Sequence, residues 1–81
     1  MTKERIPERL SLVGNQTFGV TDFKAGSTME SMAEWDSLKH LQLLGNLESE
    51  FGLQIQMEDA IRMISFDAIL LILSENMENS K

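Results

Sequence analysis

Four apolar segments, separated by glycine, proline and polar stretches, run along the 81-residue chain. In the longer segments the apolar residues recur every three to four positions, which is the spacing of one helix face. The pattern predicts helices over about residues 7–18, 37–51, 58–63 and 66–77. Since no segment shows the alternation typical of a strand, we expect an all-α fold, a small four-helix bundle.

The first predicted helix carries Ile6, Leu10, Val13 and Thr17 on one face, and Gly14 weakens it. The stretch that follows, residues 19–36, shows no sustained period, and we interpret it as a long loop. A loop of this length is uncommon in so small a domain unless it has a structural or functional role. Its expected anchors in the core are Val20, Phe23, Met29, Met32 and Trp35.

The second predicted helix has the clearest ends. Asp36 is a favourable N-cap residue, and Gly52 suits the left-handed position after the last turn. At about 100° per residue, its core face is predicted to hold Leu41, Leu44, Leu47 and Phe51, with Leu43 at one edge. His40 falls inside this face, where a half-buried packing role with one hydrogen bond is expected. Leu38 points away from the core and is expected to contact a partner.

Length and charge narrow the classes of function. Eighty-one residues are expected to form one domain, residues 1–81. The chain has no cysteine, which excludes disulfides and thiolate metal sites, and its net charge is −6. Residues 25–81 hold ten of the thirteen acids and three of the seven bases. This imbalance favours partner proteins with basic patches over nucleic acid or anionic lipid.

Neither end of the chain resembles a targeting or membrane segment. The N-terminal MTKERIPERL has no apolar run behind its charges. The longest apolar run, AILLIL at residues 68–73, is shorter than the roughly 18 residues that a membrane span needs. We therefore expect a cytoplasmic protein. We also expect it to be a monomer.

Ser37, between Asp36 and Leu38, is the residue with the most chemical interest. It can be a favourable first-turn residue and nothing more. A hydrolase would pair it with His40, three residues on, but Asp36 lies on the wrong side to orient the histidine, and the G-x-S-x-G elbow is missing. As an attachment point, Ser37 would hold a phosphodiester against the positive end of the helix dipole and its unpaired N–H groups.

The stretch WDSLKHLQLLGNLESEFGLQIQMEDAIRMISFDAI, residues 35–69, resembles the acyl carrier proteins, especially the discrete carriers whose attachment motif reads W-D-S-L. The resemblance covers D-S-L, the leucine ladder, L-E-x-E-F-G, an extended I-x-x-E-D-A and S-F-x-x-I. It implies the family's four-helix bundle with a long first loop. It also implies that Ser37 carries 4′-phosphopantetheine, transferred from coenzyme A, with an acyl or aminoacyl group on the terminal thiol.

The resemblance further implies a carrier that has no catalytic or metal site of its own. Its expected partners are a phosphopantetheinyl transferase, an acyl- or aminoacyl-loading ligase, and downstream synthase or transferase enzymes. The positions that match the family's docking residues are Asp36, Leu38, Glu48, Glu50, Glu58 and Asp59. Lys39, where fatty-acid synthesis carriers often have an acid, and Gly45, where they commonly expose a large apolar residue, are departures. They favour a specialised polyketide, nonribosomal peptide or modified-lipid pathway.

Two alternatives keep the same fold. One is the housekeeping carrier of fatty-acid synthesis, and the other is a helical interaction module that is never modified.

A last expectation concerns residues 68–73, because six consecutive apolar residues cannot all face a one-sided core. At least one of Leu70 and Leu73 should be partly exposed or border an apolar cleft. The resemblance to acyl carrier proteins implies that such a cleft can shelter an attached acyl chain.

Overall fold

A computed structural model describes residues 5–79, with side chains described through residue 76. The first four residues of the charged N-terminal stretch lie outside the described residues. The described part contains no strand apart from an isolated antiparallel bridge between Thr28 and Ser65. Its helices are α1 (Ile6–Phe18), α2 (Ser37–Phe51), α3 (Met57–Ala60) and α4 (Phe66–Asn79). The prediction of an all-α, four-helix protein is confirmed, although α3 is shorter than the sequence pattern suggested.

Helix α1 begins and ends as its sequence predicts. A proline lies in its first turn, where the missing N–H is not needed. The helix ends at Gly19, whose φ of 71° is left-handed and whose N–H donates to the Asn15 carbonyl at 2.9 Å. Between these ends, the predicted face of Ile6, Leu10, Val13 and Thr17 is buried. The buried Thr17 hydroxyl donates to the Val13 carbonyl at 2.8 Å, so its burial leaves no unpaired donor.

The long loop is fixed to the helices by aromatic packing and by its backbone. Phe23 and Trp35 are buried, and with Phe18 and Phe66 they form a cluster whose ring centroids lie 5.2–5.6 Å apart. The backbone joins the start of α4 through Phe66 N–H, which donates to the Ser27 carbonyl at 2.8 Å. The other predicted anchors, Val20, Met29 and Met32, are half-buried against the same core, so the predicted anchors of the loop are confirmed.

Gly14 is explained by this loop. The Phe23 ring lies where a β-carbon at position 14 would be, so only glycine allows the loop to approach α1 so closely. The sequence pattern showed the cost of a glycine within a helix but not the contact that requires it.

The core lies between α1, α2 and α4. The fully buried side chains of α4 are Ile69 and Leu73, while Leu70 is half-buried and Leu71 is 57% exposed. The expectation that part of AILLIL reaches the surface is confirmed at Leu70. Ser65 caps α4, as its hydroxyl oxygen accepts from the Ala68 N–H at 3.0 Å. No helix of the described chain is long and apolar enough to cross a membrane.

Candidate functional site

Ser37 is the first residue of α2, and its side chain is exposed. The residue before it, Asp36, has an extended backbone, and its Oδ1 accepts from the Lys39 N–H at 2.9 Å. This is the N-cap geometry that the sequence predicted. The cap satisfies one of the first-turn amides, and the other amides at this end have no acceptor within the helix. The hydroxyl of Ser37 therefore stands at the positive end of a capped, 15-residue helix.

The opposite end of α2 also agrees with its sequence. Gly52 has a φ of 65°, and its N–H donates to the Glu48 carbonyl at 2.9 Å. The N–H of the next residue reaches the same carbonyl at 3.3 Å. Both ends of the helix that presents Ser37 are thus held by specific hydrogen bonds, which limits fraying near the exposed serine.

The core face of α2 is rotated from the predicted one. Leu43 and Leu47 are fully buried, whereas Leu41 is 66% exposed and Leu44 is half-buried. The prediction that Leu41 belongs to the core was wrong, and Leu44 lies at the edge of the core. The physical reason is that α2 packs mainly on α1, which contacts the side of α2 that carries Leu43 and Leu47. Leu38 is 63% exposed, as expected.

The face of α2 that turns away from α1 forms one wall of an apolar groove, which we call the α2–α3 groove. Its volume is about 600 Å³. The side of α2 supplies His40, Leu41, Leu44, Gly45 and Glu48, and the opposite side supplies Ile55, Met57, Ala60 and Ile61. The groove begins about one helical turn beyond Ser37. Several large apolar side chains at and near its mouth are more than half exposed: Leu38, Leu41, Met57 and Ile61.

Gly45 lies on the wall of this groove and borders open space. A β-carbon placed there would have no atom within 4 Å. For residues 68–73 the expectation was a leucine that is partly exposed or borders an apolar cleft; Leu70 is half-buried, and the apolar groove that the structure shows lies between α2 and α3. The four-residue α3 is responsible, because so short a helix covers little of the apolar surface of α2.

Two of the predicted docking acids take part in intramolecular contacts. The Glu50 carboxylate forms an ion pair with Arg9 of α1, at 2.7 Å from Nη2 and 2.9 Å from Nε. The Glu48 carboxylate accepts from the Ile55 N–H at 2.8 Å. These contacts give both acids a structural role within the chain. Their part in partner recognition stays a prediction.

The remaining predicted docking residues lie at the starts of α2 and α3, the two helices that border the groove. Asp36 and Leu38 flank Ser37, and Glu58 and Asp59 lie in the first turn of α3. Glu58 is exposed and Asp59 is half-buried. The side chain of Lys39 turns toward α1, where its Nζ donates to the Thr17 carbonyl at 3.3 Å. Glu58 and Asp59 therefore place acidic groups on α3, beside the groove that Glu48 also lines.

His40 is half-buried, as expected, but it makes two hydrogen bonds rather than one. The indole N–H of Trp35 donates to Nδ1 at 3.0 Å, and Nε2 donates to the Ala60 carbonyl at 3.0 Å. With both nitrogens engaged elsewhere, His40 has no nitrogen left to accept a proton from Ser37, as a hydrolytic pair requires. The sequence offered no signal for these partners, which lie 5 and 20 residues away.

The described residues contain no cluster of His, Asp or Glu side chains arranged to hold a metal ion. Comparison with protein-family models gives no match, and comparison with curated protein sequences also gives none.

Proposed function

We propose that this protein is an acyl or aminoacyl carrier that is modified on Ser37 with 4′-phosphopantetheine. The observation that carries the proposal is the placement of Ser37, exposed at the start of a capped helix and one turn from an open apolar groove. The resemblance of residues 35–69 to acyl carrier proteins supports the same role. When attached, the arm supplies a terminal thiol that holds the carried group as a thioester.

The residues at the start of α2 fit a phosphodiester. The N-terminal end of a helix carries a partial positive charge and free N–H groups, which favour an attached phosphate. Asp36 keeps α2 in register through its cap, so that the Ser37 oxygen is held at a defined place for the modifying enzyme. The neighbouring carboxylate of Asp36 would repel the phosphate, but it is directed to the Lys39 N–H. Exposed Leu38 gives the transferase an apolar contact beside the serine.

A carrier needs no base of its own, because another enzyme performs the transfer. In this role the engagement of both His40 nitrogens is no obstacle, whereas it counts against hydrolysis. The α2–α3 groove offers apolar surface to the carried group or to a partner, within reach of Ser37. Lys39 and Gly45 depart from the residues that fatty-acid synthesis carriers commonly have at these positions, and these departures favour a specialised pathway.

The test is the intact mass of the protein after incubation with a phosphopantetheinyl transferase and coenzyme A. The wild-type chain should gain the mass of one phosphopantetheine, as Ser37 Oγ displaces adenosine 3′,5′-bisphosphate and releases its proton to the transferase or solvent. The Ser37→Ala variant should keep its helical circular dichroism and gain no mass.

Matched controls use two other serines of the chain. Ser31 is part of a turn with Thr28, and the Ser65 hydroxyl caps α4. The Ser31→Ala and Ser65→Ala variants should each be modified like the wild-type protein. A mass gain by Ser37→Ala would refute the assignment of the site. A folded wild-type protein that is never modified by any transferase tested would instead favour the unmodified interaction module.

A further inference from the structure

The half-buried ring of His40 lies where three segments meet: the loop before Ser37, α2 and α3. One ring nitrogen accepts from the Trp35 indole N–H, and the other lies 3.0 Å from the Ala60 carbonyl oxygen. An indole N–H is only a donor, and a carbonyl oxygen is only an acceptor. The two partners therefore admit one form of the ring, which is the neutral tautomer with its proton on Nε2.

Helix α3 has few other attachments to α2. It consists of four residues, and none of them is buried. Within the described chain, the His40 bond to Ala60 is the side-chain hydrogen bond that joins α2 to α3 itself. The bond between Glu48 and Ile55 holds the segment before α3. Loss of the His40 bond would leave α3 held to α2 mainly by apolar contacts around an open groove.

Protonation of the ring is incompatible with this arrangement. A protonated imidazole donates from both nitrogens, so its Nδ1–H would face the indole N–H of Trp35, and two donors cannot share a 3.0 Å contact. Trp35 is 2% exposed and packs against Phe18 and Phe23, so its indole ring cannot easily move away from His40. The His40 ring must move instead, and its bond to Ala60 moves with it.

An attraction between a charged imidazole and the indole does not compensate. Such an attraction requires the cation to lie over the face of the aromatic ring. Here the nitrogens approach to 3.0 Å while the ring centroids lie 5.9 Å apart, so the two rings of His40 and Trp35 meet at their edges.

We propose that His40 is a positioning residue that fastens α3 and the loop before Ser37 to α2 only while it is neutral. Its protonation releases α3 and widens the α2–α3 groove. Histidine is the side chain that ordinarily changes charge between about pH 5 and pH 8. The proposal rests on hydrogen bonding alone, and it holds whether or not Ser37 is modified.

Other charged groups on the surrounding segments modulate this response without replacing it. They are Glu34 of the loop, Asp36 at the cap, Lys39 and Glu48 of α2, Glu58 and Asp59 of α3, and Arg62 after α3. Their charges are the same in the wild-type protein and in His40→Gln, so a comparison of the two isolates the contribution of His40.

The experiment compares amide hydrogen exchange in the wild-type protein and in His40→Gln. A glutamine amide supplies one acceptor and donors, so it can bridge Trp35 and Ala60, and it does not titrate. The amides to follow are those of Ala60 and Ile61, whose N–H groups donate to the carbonyls of Gln56 and Met57. Taking the ratio of the two proteins at one pH cancels the intrinsic pH dependence of exchange.

At about pH 7.5 the proposal requires the exchange rates of the two proteins to agree within about two-fold, with the side chain at position 40 bridging Trp35 and Ala60 in both. At about pH 5.5 the wild-type amides should exchange about five-fold faster or more, as expected for the loss of one ordinary hydrogen bond. Equal ratios at the two pH values would overturn the proposal.

Two further variants separate His40 from its surroundings. Glu48→Gln keeps an acceptor for the Ile55 N–H, so it should retain the wild-type response to pH. Trp35→Phe removes the opposing donor, so most of the response should disappear. Should His40→Gln fail to fold, the wild-type protein still decides the matter by NMR. The indole N–H signal of Trp35 and the amide signal of Ala60 must then shift together as the pH falls, and independent shifts would count against the proposal.

Discussion

Replacement of a glycine by alanine should have opposite effects in α1 and α2. Gly14 and Gly45 both lie within helices, where alanine is favoured over glycine by about 1 kcal/mol. At Gly45, which is exposed, an added β-carbon has open space around it. Gly45→Ala should therefore stabilise the protein by about 0.5–1 kcal/mol.

At Gly14 the added β-carbon would overlap the Phe23 ring. That ring is 1% exposed and is enclosed by Phe18, Trp35 and Phe66, so it cannot move without disturbing the aromatic cluster. Overpacking of this kind costs about 1–3 kcal/mol, occasionally more. The cost equals or exceeds the helical gain, and Gly14→Ala should be about 1–3 kcal/mol less stable than Gly45→Ala.

The assay is urea unfolding of both variants and the wild-type protein, followed by circular dichroism. Changes in the midpoint at constant slope report stability. In thermal unfolding, each kcal/mol corresponds to a shift of about 4–8 °C for a domain of this size. If Gly14→Ala proved as stable as Gly45→Ala, the loop would not pack on α1 as the structure shows, and the reasoning would fail.

Three further predictions concern α2 and its groove. Leu47→Ala should destabilise the protein by about 2–5 kcal/mol, because the side chain is fully buried. Leu41→Ala should cost less than about 1 kcal/mol in the same urea assay, and equal costs for the two variants would contradict the observed core face. Asp36→Ala should lower the free energy of unfolding by about 0.5–2 kcal/mol through loss of the cap. Asp36→Asn keeps a hydrogen-bond acceptor and should be nearly neutral. A large loss of stability in both variants would show that the charge, not the hydrogen bond, stabilises the helix. If Ser37 carries an acyl chain that enters the α2–α3 groove, loading a medium-length chain should shift the NMR amide signals of groove-lining residues and raise the melting temperature. Shifts confined to the vicinity of Ser37 would show that the chain stays in solvent.

Local sequence signals determined the end of α1, both ends of α2 and the start of α4. Asp36 and Ser65 cap helices through their own side chains, and Gly19 and Gly52 end helices with left-handed backbone that glycine adopts without strain. These interactions span three or four residues, so they can be predicted from the sequence without knowledge of the fold. The exposed position of Ser37 at the start of α2 follows from the same local rules.

Tertiary packing decided the features that depend on residues distant in sequence. The core face of α2 is centred on Leu43 and Leu47 rather than Leu41, because the position of α1 selects which side of an apolar helix is buried. The α2–α3 groove exists because α3 forms so little helix that one apolar side of α2 stays uncovered. The apolar residues of α2 spread over more than one side of the helix, so their pattern alone did not determine which side is buried, and the contact with α1 did.

The same distinction applies to the polar side chains. Glu50 bonds to a residue 41 positions earlier, and His40 bonds to a carbonyl 20 positions later. Their roles depend on which groups the folded chain brings within about 3 Å, and spacing along one helix carries no information about such partners. The sequence by itself determined the helices and the chemistry that each side chain offers. Only the tertiary structure decided which acids, amides and rings meet, because hydrogen bonds form between neighbours in space.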